Sequence, residues 1–493
     1  MTDDVPAAAT ARPRRFATRE ARRLGVLFAI VYFAQGMVYL PDQVVAIVFK
    51  ERGLTAGQLA AFTWITTVPW FVKPLYGLLS DFVPLGGTRR RGYFLLTAAL
   101  AAVSAAAVSL MAGAPYWALA TVITLLWLGV GFTDVLTDAL MVENGKPLGL
   151  TGAFQSVQWA ALSAASVLVG VVGGYLAEHR AFAGAFALVS CFPLISLLMA
   201  WLVVNEPPAR LDLEGLGETG AAVRRALGGR ELWLVAGFTF FWAFSPSFGP
   251  AFFYYQTDTL HFSQTFIGAL ASLGAAAGIA GAWAYARLAR VWSLKRLIVW
   301  SIGAGTAGTL AYLVYVGPIS AVAITVVFGA LGMTAQLASL DLAAKACPAR
   351  AEATFFALLM SVYNFGTRSA EWTGANLYDW LGYTPLVLIS TVFTAAAWLL
   401  VPLVPIDAIQ SAAARAESPG AKLEAVGAGA RFGSPPRALS NRRLHLDKND
   451  VSRRIARVFP DMRLGVRPHD VALLELPRQH LANRQRDRSL ERG

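Results

Sequence analysis

Residues 71–93 read "FVKPLYGLLSDFVPLGGTRRRGY". The stretch begins as an apolar helix, carries Lys73 and Pro74 inside it, and ends on Asp81 and the run Arg89, Arg90, Arg91. An apolar run that closes on a basic loop reads as a membrane-spanning helix ending at the cytoplasmic face, where lysine and arginine accumulate. Lys73 precedes Asp81 by eight residues, about 12 Å at helical rise. That depth places an ammonium group in the inner half of the hydrocarbon, where it either snorkels to the inner surface or meets a partner. Pro74 lacks an amide hydrogen and is expected to kink the helix.

The rest of the chain has the same character. Its 493 residues are 56% hydrophobic and 15% charged, against about 25% charged in an ordinary soluble chain, and mean hydropathy is +0.52. The apolar residues fall in continuous runs of about 20, long enough to cross the hydrocarbon as helices. Twelve spans are expected, near 24–47, 56–80, 93–112, 115–141, 151–176 and 182–204, then 232–257, 264–288, 294–316, 318–342, 352–378 and 384–405. This is an all-α polytopic membrane protein of two six-helix halves. The domains read as a basic N-terminus (1–23), a first half (24–204), a polar linker (205–231), a second half (232–407) and a basic tail (408–493).

Basic residues cluster at 12–23, 89–91, 146, 210–230, 287–296 and 345–350, all on one side of that topology. Both termini are therefore expected in the cytoplasm, with the chain in the cell inner membrane. "KERG" (50–53) is the exception. Much of the net charge of +12 sits in the tail, where "NRRLHLDKNDVSRRIARVF" could lie as an amphipathic helix on an anionic leaflet or stay without structure. Because the charge follows topology, it does not point to nucleic acid. Cys191 and Cys347 make no disulfide framework. No nucleotide-binding glycine loop, metal-ligand spacing or nucleophile motif is present, so neither an enzyme nor a cofactor or metal site is expected.

The halves echo each other. "GFTDVLTDALMVENGK" (131–146) parallels "GMTAQLASLDLAAKAC" (332–347), and "LTAGQLAAFTWI" (54–65) parallels "FSQTFIGALASLG" (262–274). Repeats around a cytoplasmic linker describe a secondary transporter with its substrate near the midplane.

Particular segments carry a closer likeness. Gly77, Asp81 and Arg89–Arg91 resemble the major facilitator loop between spans two and three, in which the glycine permits close helix contact and the aspartate meets neighbouring helix ends. The inserted "FVPLGGT" and the preceding "KPLYG", with "DVLTDALMVE" (134–143), "FQSVQW" (154–159), "WAFSPSFGPAFFYYQTDTLHFSQTFIG" (242–268) and "CPARAEATFFALLMSVYNFG" (347–366), are similar to the folate–biopterin transporter family. The resemblance covers about residues 24–405 and implies a pterin or folate as the small-molecule substrate. Muropeptide permeases and light-harvesting assembly proteins carry strings like "DVLTDA", so another organic anion or a pigment-complex assembly role stays open.

Asp134 and Asp138, four apart, share one face of the fourth span. Two carboxylates there need water, a cation or a proton, which suits proton coupling; a structural charge network is the alternative for Asp138 and Glu143. Lys73 would balance Asp134 or attract an anionic substrate. Arg368 would hold a substrate carboxylate, or pair with Glu371 along its own helix. Gln155, Gln158 and Trp159 suit the amide pattern and flat face of a pterin. Trp242, Ser245, Pro246 and Ser247 could supply a broken seventh helix, and Phe252–Tyr255 an interfacial aromatic belt. Asn364 faces the pore or a neighbouring helix. Gly77, Asp81, Arg89, Arg90, Arg91, Glu143 and Glu352 are assigned to gating and structure.

Overall fold

The computed structural model describes residues 18–148, 150–347 and 352–417; the proposed tail helix lies outside them. Helices dominate, and among the described residues the only strand-like pairing is the bridge between Leu85 and Thr88. The first half holds α1 (Arg19–Met37), α2 (Asp42–Glu51), α3 (Ala56–Thr66), α4 (Lys73–Phe82), α5 (Arg91–Ser109), α6 (Tyr116–Leu148), α7 (Thr151–Glu178) and α8 (Phe182–Val203). After the linker helix α9 (Leu213–Leu227) come α10 (Arg230–Ala243), α11 (Gly249–Tyr254), α12 (Gln264–Leu288), α13 (Leu294–Ala311), α14 (Pro318–Lys345), α15 (Glu352–Leu381), α16 (Tyr383–Leu400) and α17 (Ile406–Glu417).

Nine helical segments among the described residues are long and apolar enough to span a bilayer. The expected spans near 56–80, 232–257 and 352–378 are not among them, and each differs for a visible reason. The second is interrupted: α3 stops at Thr66, a tight turn carries Pro69, and α4 restarts at Lys73. Pro74 therefore sits in the first turn of a new helix, where a missing amide hydrogen costs nothing, rather than kinking a continuous one. The seventh breaks between Ala243 and Gly249. There the Ser245 hydroxyl reaches Thr394 Oγ1 at 2.7 Å, and the Ser247 amide donates to the Ala370 carbonyl at 3.3 Å. The eleventh, α15, is continuous but carries Arg368, Glu371 and Asp379.

The arginine loop is a tight hairpin. Leu85 and Thr88 exchange backbone hydrogen bonds at 2.9 and 3.2 Å, and Gly86 and Gly87 between them take φ of 62° and 76°. Two successive positive φ values are accessible to glycine at little cost, which explains the inserted "PLGGT". Glu206 then reaches back from the linker to accept from the amides of Arg90 and Arg91 at 2.8 and 2.9 Å, capping α5 with a carboxylate.

The halves meet most closely where α7 crosses α12. Gly174 and Gly268 face each other there; a Cβ on Gly174 would lie 2.9 Å from Gly268 Cα. Hydrogen bonds between the halves gather toward the end opposite the arginine loop. Asp379 accepts from the amides of Ala56 and Gly57 at 3.2 and 2.8 Å. Glu178 accepts from Thr265 at 3.1 Å, Gln43 donates to the Gln264 carbonyl at 2.7 Å, and Lys50 pairs with Asp258. The exceptional "KERG" is thereby accounted for: Glu51 pairs with Arg180 at 2.7 Å, and Arg52 donates to the Ala114 carbonyl at 3.0 Å.

The aromatic run 252–255 packs into the bundle rather than forming a belt against lipid. Phe252 stands edge-on to Tyr315, Tyr255 stacks on Tyr383, and the Tyr254 hydroxyl donates to the Leu54 carbonyl.

Candidate functional site

Two sites emerge from these elements. The first lies inside the N-terminal half. α6 presents Asp134 and Asp138 one turn apart, and the restart of α4 brings Lys73 against them. Lys73 Nζ pairs with Asp134 Oδ2, with both side chains largely buried. Lys73 thus turns inward and does not snorkel. Its ammonium also lies 4.8 Å from the ring centre of Trp70. Gln35 Nε2 donates to the other Asp134 oxygen at 2.9 Å. Asp138 accepts from the Tyr32 hydroxyl and from Gln158 Nε2, the latter at 3.2 Å. The cluster holds two carboxylates and one ammonium, and Asp138 is held only by neutral donors among the described residues.

The second site is a cavity of about 360 Å³ between the halves. Its charged lining is Asp42 from the start of α2 and Arg368 and Glu371 from α15. Arg368 donates to Glu371 at 2.7 Å, the intrahelical pair that their spacing allows. Phe62, Trp127 and Phe253 supply flat apolar walls. Lys73 and Asp134 do not line this cavity, so the expected common site of Lys73, Asp134 and Arg368 is divided. Trp70 stands between the two sites: it meets Lys73 on one side and Trp127 on the other, with ring centres 6.1 Å apart.

The remaining candidates fall elsewhere. Gln155 and Trp159 are exposed on α7, outside both sites; only Gln158 of that trio joins the carboxylates. Trp242 packs on Phe238 in the core of the C-terminal half, and Ser245 faces α16. Asn364 is half-buried one turn before Arg368. Gly77 is not closely approached: an added Cβ would meet only Val135 Cγ1, at 3.9 Å. The side chain of Glu352 lies outside the described residues.

At the arginine loop the expected charge network is present. Arg90, with its side chain nearly inaccessible, pairs with Asp81 and, at 2.9 Å, with Glu143; Arg89 reaches Asp81 at 3.2 Å. Burial works against the charge on Arg90, but Asp81 and Glu143 outweigh it and hold its pKa above that of a free arginine. Arg91 donates to the Trp201 carbonyl at 3.1 Å, tying the loop to the end of α8.

Sequence reading missed Tyr32, Gln35, Asp42, Glu178, Glu206 and Asp379. The signal for Asp42 was present, as a carboxylate inside the first apolar run; "VYFAQG" likewise places Tyr32 and Gln35 on one face of α1.

Comparison with known proteins accords with this architecture. A sequence model of the BT1 family matches residues 33–411. The folate-biopterin transporter of Synechocystis sp. is 30% identical over 371 residues, covering 72% of this chain and 74% of that protein. Probable folate-biopterin transporter 4 of Arabidopsis thaliana is 25% identical, covering 72% and 88%. Folate transporter 2 of Plasmodium falciparum is 22% identical, covering 77% and 88%. Among solved structures, a D-xylose-proton symporter superposes with a TM-score of 0.59 at 13% identity, over 78% of this chain and 97% of that one. The nucleoside transporter NupG gives 0.59 at 12%, over 80% and 99%. These structural likenesses show a fold of the major facilitator type.

Proposed function

This chain belongs to the BT1 family, a family of transporters and not of enzymes, and on that premise we propose that it moves folate, biopterin or a related pteridine across the membrane by proton-coupled alternating access. The observation that carries the reading is the pair of sites: a cavity between the halves and, one tryptophan layer away, a buried cluster with one carboxylate in excess. The names of the relatives support the substrate class.

In this mechanism the halves rock about the cavity. A proton entering the Lys73–Asp134–Asp138 cluster cancels its excess charge and loosens the hold of Asp134 on Lys73. That change moves Trp70, which adjoins Trp127 in the cavity wall. The arginine-rich end is cytoplasmic, the protein sits in the inner membrane, and the functional units are the halves 24–204 and 232–407 joined by 205–231.

Uptake of labelled biopterin and folate into proteoliposomes, with and without an imposed pH gradient, tests the proposal. Uptake indifferent to the gradient refutes proton coupling. Wild-type uptake by Asp134→Asn refutes the role of the cluster, and no uptake of any pteridine refutes the substrate class.

A further inference from the structure

Three charged side chains line the cavity, and two of them are already committed to each other. Arg368 gives its Nη1 to Glu371 within α15. Gln43 also lines the cavity, but its amide is engaged with Gln264, at 2.7 Å to the carbonyl and 3.1 Å to Oε1. The hydroxyls of Thr63 and Thr66 donate to carbonyls of their own helix, Leu59 at 3.1 Å and Phe62 at 3.0 Å. Asp42 remains. Its carboxylate is accessible and accepts no hydrogen bond among the described residues. The lining therefore holds two carboxyl groups against one guanidinium, and the Asp42 carboxyl group accepts no hydrogen bond among the described residues.

An ionised carboxylate is acceptor-only and is best met by two parallel N–H donors. Phe62, Trp127 and Phe253 beside it favour a flat ring over a flexible chain. Building on the pteridine reading above, we infer that Asp42 is the specificity-determining residue of the cavity, and that the ligand class is a neutral, unconjugated pteridine. The ring presents its 2-amino group and the adjacent ring N–H to the Asp42 carboxylate. A folate carries the same edge but adds two carboxylates on its glutamate tail. Those must enter a lining in which carboxyl groups outnumber the one guanidinium, whose Nη1 already goes to Glu371. A volume of about 360 Å³ suits a bicyclic ring with a short side chain.

The test is binding to the purified full chain in lipid nanodiscs, read by quenching of tryptophan fluorescence. The probes are biopterin, folate and the 2-oxo analogue of biopterin, which lacks the amino donor. Biopterin is expected to bind at least about tenfold more tightly than either of the others, the range for a charge-assisted bidentate contact. Asp42→Asn is expected to weaken biopterin about tenfold or more and to narrow its advantage over folate. Asp42→Glu, which keeps the carboxylate, should retain the ranking. Folate bound as tightly as biopterin, an equally well-bound 2-oxo analogue, or wild-type biopterin affinity in Asp42→Asn overturns the inference. If Asp42→Asn does not fold, the wild-type ranking of the three probes still decides. Binding of no pteridine at all overturns the broader functional reading instead.

Discussion

Two carboxylates bound to helix starts help clasp the halves together at the end opposite the arginine loop, beside the Lys50–Asp258 pair, and removing them should loosen that end. Asp379, at the close of α15, accepts from the first two amides of α3, Ala56 at 3.2 Å and Gly57 at 2.8 Å. Glu178, at the close of α7, accepts from Thr265 in the first turn of α12 at 3.1 Å. The helix starts are built alike. Thr55 and Ser263 are their N-caps and accept from the amides of Gln58 and Phe266, leaving the earlier amides to the opposite half. Each clasp joins a free helix N-terminus in one half to a carboxylate of the other, so opening this end must break both. A carboxylate at a helix N-terminus contributes about 0.3–1 kcal/mol when exposed. Asp379, with two bonds, is assigned about 1 kcal/mol and Glu178, with one, about 0.5 kcal/mol. Their joint loss, about 1.5 kcal/mol, shifts the equilibrium toward opening about tenfold.

The readout is a cavity cysteine, Thr63→Cys, in a background carrying Cys191→Ser and Cys347→Ser. It is labelled by an impermeant thiol reagent supplied from the clasped end. Labelling should accelerate about twofold in Glu178→Gln, about fivefold in Asp379→Asn and about tenfold in the double variant. Unchanged labelling in the double variant, at unchanged thermal stability, would show that the clasps do not hold this end closed.

Three further outcomes follow from contacts elsewhere. Lys73→Ala leaves a buried carboxylate pair without its cation and should cost about 3–5 kcal/mol in detergent unfolding, while Lys73→Met with Asp134→Leu recovers most of it. A Lys73→Ala protein as stable as wild type would mean the pair is not buried. Glu206→Ala uncaps α5 and should cost about 1 kcal/mol, read as faster amide exchange confined to the first turn after Arg90; no change there removes the cap from the account. Gly174→Val forces a side chain against Gly268 and the Gln264 carbonyl and should lower folded yield, at a cost of about 1–3 kcal/mol or more. Wild-type yield would place the helices further apart than described.

What was legible in the sequence was what is written along one dimension. Apolar run length at nine of the expected spans and the four-residue spacing of Asp134 and Asp138 survive into the fold, and so does the Arg368–Glu371 pair. Lys73 and Asp134 meet because both lie at similar depth. Partners supplied by a different helix were invisible, since nothing in α1 alone says that Tyr32 and Gln35 face α6. Phase was lost wherever a helix breaks. Trp242 is at the edge of the interruption at 244–248 and Ser245 lies inside it, so helical spacing cannot say which way either side chain turns. Gly77 was read through resemblance and has open space beside it.

The repeat also shows where the halves parted in chemistry. Extending the pairing of Thr55 with Ser263 along the chain brings Lys73 opposite Gly281, and the pairing of Gly131 with Gly332 brings Asp134 opposite Ala335 and Asp138 opposite Ser339. In the C-terminal half Gly281 lies against the backbone of Ala330, and the Thr334 hydroxyl donates to the Gly281 carbonyl at 3.0 Å. A glycine that admits a neighbouring helix backbone fixes that helix pair in place. An ion pair between a broken second span and α6 leaves an electrostatic contact whose strength one proton changes. The same location is thus a rigid seam in one half and a charge-dependent one in the other. The cavity charges Arg368 and Glu371 belong to the half with the glycine seam, whereas Asp42 and the Lys73–Asp134 pair belong to the other. The turn Val68–Trp70, between α3 and α4, sets Trp70 against Lys73 on one side and the cavity-lining Trp127 on the other.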